Sequence, residues 1–197
     1  MTLESNGKFI FNPNPDGEHT DTHTMFCPPY IKFLKQERKT LMSHYLRLIQ
    51  FGMVATIALF FSLAALNNIT DFESNWLFVQ HVLSMDTTFE QSALLWRAIT
   101  DPIIQKYAYY FIIFWEILTA ILCWLGCFFL LIKESKKMAY IGLFFGFLLY
   151  MIGFIIIGGE WFSMWQSKIW NGQMKSGLFI NFIMFVMIFL RIETMEK

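Results

Sequence analysis

Four apolar stretches, each long enough to cross a lipid bilayer, occupy residues 48–66, 107–132, 138–157 and 171–190. A hydrocarbon core about 30 Å thick is crossed by about 20 helical residues rising roughly 1.5 Å each. Lipid offers no partner to an open backbone, so runs of this kind are helical. Only 15% of the chain is charged and 56% is hydrophobic, against about a quarter charged in a soluble domain. The first stretch, LIQFGMVATIALFFSLAAL, carries no charge, and the second contains Glu116. The fourth, NGQMKSGLFINFIMFVMIFL, is long enough only if Lys175 reaches back to the interface. The expected fold is an all-α, polytopic membrane protein: a four-helix transmembrane bundle over residues 48–190.

Charge along the chain sets an expected orientation. Residues 1–30, rich in Asn, Pro, Asp, His and Thr, read as a flexible cytoplasmic tail. They lack a basic start followed by an apolar core, so the first span is expected to act as its own insertion signal. Residues 31–47 read as a basic juxtamembrane helix carrying Lys32, Lys35, Arg38, Lys39 and Arg47. The KESKK connection adds Lys133, Lys136 and Lys137, and the tail at 191–197 adds Arg191 and Lys197. The loops at 67–106 and 158–170 carry only Arg97, Lys106 and Lys168, with Lys175 near the boundary. The positive-inside rule therefore places both termini in the cytoplasm and these two loops outside. Tryptophans concentrate in the same loops, and the two are expected to form a shared extracytoplasmic cap.

Glu116 is the strongest single anomaly, standing about nine residues inside its span. A bare charge at that depth costs about 2.5–3.5 kcal/mol on insertion scales. It is expected to face the bundle and to meet Thr56 of the first span and Asn181 of the fourth, at similar estimated depths. Such a cluster is either interhelical glue or a ligand or proton site. Gly142, Gly146 and Gly153 share one expected face of the third span, where close backbone approach is favoured. Gly158 and Gly159 are expected to end that helix. Cys123 and Cys127 read as small packing residues.

The outer loops supply interaction candidates: Asn67, Asn68, Asp71, Trp76, His81, Asp86, Trp96, Arg97, Asp101, Glu160, Trp161, Trp165 and Trp170. FVQHVL reads as a short interfacial helix, Asp86 as the start of a following turn, and Asp101 before Pro102 as the start of the second span. Arg97 is an available partner for Glu160 or Asp101. His81, Asp86 and Glu90, and separately His19, His23 and Cys27, match no sharp metal motif. No cofactor, metal or catalytic residue is assigned, and no nucleic acid is expected as a partner.

The phrases NNITDFESNWLFVQHVLSMDTTF, WRAITDP and GGEWFSMWQSKIWNGQ resemble a bacterial family of predicted small integral membrane proteins, domain of unknown function 2165, over roughly residues 45–190. The resemblance implies four helices in a bacterial inner membrane and no assigned activity. It also implies a glutamate in the second helix at the position of Glu116. A claudin-like layout of loops is shared only in topology, since no cysteine pair lies in the first loop.

Three functional expectations follow. The favoured one is an accessory subunit that engages a larger membrane complex or a periplasmic protein through its Trp-rich loops. The second is a small-molecule, lipid, quinone or proton-linked membrane protein using Glu116. The third is a membrane enzyme or metal site in the outer cap.

Overall fold

The computed structural model describes residues 2–3, 9–10, 29–133 and 135–192. The chain divides into two compact units, Met1–Tyr45 and Leu46–Lys197. In the first, a strand pair of two residues each, β1 (Thr2–Leu3) and β2 (Phe9–Ile10), runs antiparallel. The rest of the expected tail at 1–28, with His19, His23 and Cys27, lies outside the described residues, as does 193–197.

Helix α1 (Pro29–Thr70) begins in the first unit and continues through the second. The other elements belong to the second unit: α2 (Phe72–Ser84), α3 (Pro102–Ile132), α4 (Lys137–Leu148) and α5 (Gln173–Leu190). Four helices are long and apolar enough to cross a membrane: Gln36–Thr70, Pro102–Ile132, Lys137–Trp161 and Gln173–Leu190. The first runs four residues past the expected end at 66 and the second starts five residues before 107. The third is α4 together with Leu149–Trp161, which is wound as a π-helix with i→i+5 bonding. The helical path thus carries through Gly158 and Gly159 instead of ending there.

Each span buries one stripe. Val54, Ala58, Phe61 and Ala65 recur every three or four residues on α1 and are buried, the spacing of one helix face. Of these, Val54, Ala58 and Phe61 meet Ala120, Cys123, Cys127 and Leu130 of α3, Ala139 and Leu143 of α4, and Ile180, Ile183 and Val186 of α5 in one core. Large apolar side chains such as Leu63, Phe114, Phe128 and Phe185 point outward and are exposed. That distribution suits a lipid solvent.

Helices α3 and α4 pack closest. A Cβ on Gly142 would stand 2.7 Å from the backbone nitrogen of Cys123, and one on Gly126 would stand 2.5 Å from the Cα of Ala139. Neither site has room for a side chain. The expected common glycine face resolves into three roles. Gly142 meets α3, Gly146 meets Phe61 of α1 and Ile183 of α5, and a Cβ on Gly153 would touch only Leu149 of its own helix, at 3.8 Å.

At the end of the bundle where α5 finishes, Gln50 Nε2 donates to the Ile192 carbonyl at 3.0 Å and Lys136 Nζ to the Leu190 carbonyl at 2.7 Å. These donors satisfy carbonyls that a helix C-terminus leaves open. At the other end, Asp101 caps α3: its carboxylate accepts from the Ile103 and Ile104 amides, with Pro102 in the first turn. FVQHVL is helical as expected, within the longer α2. Residues after Ser84 form turns, beginning with Met85 at φ 53.

Candidate functional site

Helix α1 remains helical through Asn68, so this residue, expected in a loop, lies inside the bundle. Its side chain is buried, and Nδ2 donates to Glu116 Oε2 at 2.7 Å. Asn75 lies two turns further along the chain, past the α1–α2 junction, and donates from Nδ2 to Asn68 Oδ1 at 2.6 Å. The Tyr109 hydroxyl donates to the Asn68 carbonyl at 3.4 Å. The result is a relay of side chains, Asn75 to Asn68 to Glu116, running from an exposed residue to a buried carboxyl group.

A buried amide can satisfy only one carboxyl oxygen with one N–H. Among the described residues, no hydrogen bond reaches Glu116 Oε1. Glu116 lines a cavity of about 440 Å³. Buried Asn68, Tyr109 and Glu116 form its floor, and exposed Ser74, Asn171 and Lys175 form its rim. This volume falls in the ordinary range for small-molecule sites, about 300–1,000 Å³.

The expected partners of Glu116 are placed elsewhere. Thr56 donates to the Met53 carbonyl of its own helix at 2.8 Å, a local bond open to any helical threonine. Asn181 is exposed on the outer face of α5. Sequence reasoning overlooked Asn75, Tyr109 and Ser176, which line the same cavity. The spacing of Asn68 and Asn75, seven residues and therefore nearly two turns, was the available signal.

Against known families, the match runs over residues 46–193 and is to the predicted small integral membrane proteins, domain of unknown function 2165. The chain belongs to this family. No curated protein and no solved structure matches it.

Elsewhere in this small integral membrane protein, the two Trp-bearing connections touch each other. Thr87 Oγ1 donates to Ser167 Oγ at 2.9 Å, and the Phe89 amide donates to Gln166 Oε1 at 2.9 Å. Trp170 stacks on His81, with centroids 4.7 Å apart and planes inclined by 13°. His81 Nδ1 lies 2.7 Å from Asp86 Oδ2, so Asp86 serves the imidazole. Arg97 pairs with neither Glu160 nor Asp101. Its Nη1 donates to the Trp161 carbonyl at 3.4 Å, and its guanidinium lies 4.6 Å from the Trp161 ring centroid and 5.4 Å from that of Trp96. Asp101 is occupied at the start of α3, and Glu160 is exposed.

The remaining candidates have structural neighbours. Trp76 is buried against Phe72 and Tyr109. Trp165 is exposed, with Phe89 edge-on at 6.0 Å. The Asn67 carbonyl accepts from the Asp71 amide at 2.8 Å, and Asp71 Oδ2 accepts from Ser74 at 2.8 Å. Among the described residues, no three His, Cys, Asp or Glu side chains gather closely enough to hold a metal ion.

Proposed function

We propose that this protein binds a small molecule at Glu116, inside the cavity between α1, α3 and the segment around Trp170–Ser176. The carrying observation is the unmatched Glu116 oxygen at the floor of a ligand-sized cavity. Interhelical glue requires only a closed pair, whereas this carboxyl group keeps one oxygen for another partner. The test is a structure in lipid of the wild type and of Glu116→Gln. Non-protein density within hydrogen-bonding distance of Glu116, absent from the variant, is expected. A cavity holding only water in the wild type would overturn the reading.

The setting proposed with it is a bacterial inner membrane, with the Lys133–Lys137 connection and both termini cytoplasmic and the cavity rim outside. Its support is the cation count at the two ends. Cysteines at Ser74 and Lys168 are expected to react with an impermeant reagent added outside, and one at Lys137 is not. The opposite pattern would reverse the orientation.

Engagement of a larger membrane complex or a periplasmic protein is the second reading, favoured by exposed Trp96 and Trp161 around Arg97 and by exposed Trp165. Tryptophan and arginine are enriched in interface centres. In this reading the two connections form an outer cap. A complex that purifies with the wild type in mild detergent is expected to dissociate in Trp96→Ala/Trp165→Ala. Purification of a lone monomer would remove this reading.

A further inference from the structure

Beside the polar cavity lies a second one of about 190 Å³, bounded by α2, α3 and the π-wound segment. Its lining is apolar throughout, and the exposed side chains Phe111 and Ile157 stand at its edge, between α3 and the third span. Phe78, Val79, Ile112 and Phe154 line both cavities. The rings of Phe78 and Phe154 stack with centroids 6.3 Å apart. One layer of side chains therefore separates a carboxyl group from an apolar chamber that faces lipid.

The two chambers ask for different chemistry. A wholly polar ligand would leave the apolar chamber unfilled, and a wholly apolar one would leave Glu116 Oε1 unpartnered. A ligand with both characters satisfies each. The apolar chamber is only slightly larger than a cavity of about 150 Å³ that accommodates benzene, so it admits one chain and not two. The carboxyl oxygen calls for a donor, which a hydroxyl supplies.

We propose that the ligand is a single-tailed amphiphile with a hydroxylated head, a chemistry shared by monoacylglycerols and isoprenoid quinols. The head donates to Glu116. The tail parts the stacked Phe78 and Phe154 rings to enter the apolar chamber and leaves between α3 and the third span into the bilayer. This rests on the small-molecule reading of Glu116 and adds the nature and path of the ligand.

Two substitutions fill the apolar chamber without touching the polar one. A Cβ on Gly153 would meet only the Leu149 side chain, at an ordinary 3.8 Å, and Ala108 lines the same chamber from α3. The test uses the full chain in phosphatidylcholine nanodiscs and a monoacylglycerol with a mid-chain diazirine as photoprobe. Labelling of the wild type is expected to fall about tenfold in Gly153→Leu and in Ala108→Leu, each checked for wild-type helical circular dichroism. If one variant misfolds, the other decides. Competition by unlabelled monoolein or by a decyl-chain benzoquinol supports the proposal and names the source of the head. No labelling of the wild type, competition by neither amphiphile, or undiminished labelling of the folded variants would overturn it. So would glycerol competing as well as monoolein, a result that leaves the small-molecule reading of Glu116 standing. Undiminished labelling of Glu116→Gln would overturn both.

Discussion

Asn68 and Glu116, 48 positions apart in the chain, meet in the bundle through one hydrogen bond of 2.7 Å. The bond joins the C-terminal end of α1 to the middle of α3, and both side chains are buried. It gives the bundle a polar tie that engages one carboxyl oxygen of a residue lining the cavity.

Replacing Asn68 alone is expected to be worse than replacing both partners. Asn68→Leu strands the Glu116 carboxyl group, at a cost of about 1–3 kcal/mol. The double variant Asn68→Leu/Glu116→Leu removes the stranded group and is expected to recover part of that loss. Unfolding by SDS titration in bicelles measures both. A double variant as unstable as the sum of the single ones would refute the coupling.

The α3–α4 contact predicts a contrast between glycines. Gly142→Val drives a side chain into the Cys123 backbone and is expected to destabilise by about 1–3 kcal/mol. Gly153→Ala makes only an ordinary contact with Leu149 and is expected to stay within about 0.5 kcal/mol of the wild type. Thermal unfolding in detergent separates them, and equal melting temperatures would contradict the packing.

Lys136→Met removes the donor to the Leu190 and Ile192 carbonyls. A loss of about 0.5–1.5 kcal/mol is expected, confined to the end of α5. Hydrogen exchange should quicken over residues 188–192 and remain unchanged in the middle of α3. Uniform exchange would show that the lysine has no local role.

The loop contact predicts a cross-link. Thr87 and Ser167 hydroxyls lie 2.9 Å apart, so cysteines at both positions are expected to form a disulfide on mild oxidation. Mass spectrometry of the digested protein detects the linked peptides. Failure to link while both thiols remain reactive would show that the connections part in solution.

The sequence exposed the spans because lipid imposes a length and a polarity on each segment independently of its neighbours. Glu116 was equally legible, since one carboxyl group in an apolar run is anomalous whatever surrounds it. Its partner was not. Depth was estimated from a span ending at residue 66, and α1 continues to Thr70, which brings Asn68 from the expected loop into the bundle. Thr56 and Asn181 shared an estimated depth with Glu116, but depth says nothing of which way a helix face turns. The sequence offers Arg97 as a partner for Glu160 or Asp101; two indole rings and a carbonyl serve it instead.

Hydropathy and charge, acting one segment at a time, determined that this integral membrane protein has four helices long and apolar enough to cross a membrane, one of them carrying a carboxyl group at its middle. The tertiary structure decided what that carboxyl group meets. Helix rotation and crossing place Asn68 on one of its oxygens and the residue in the wall of a cavity. Those two degrees of freedom depend on contacts between distant residues such as Gly142 and Cys123, which no single stretch of sequence encodes.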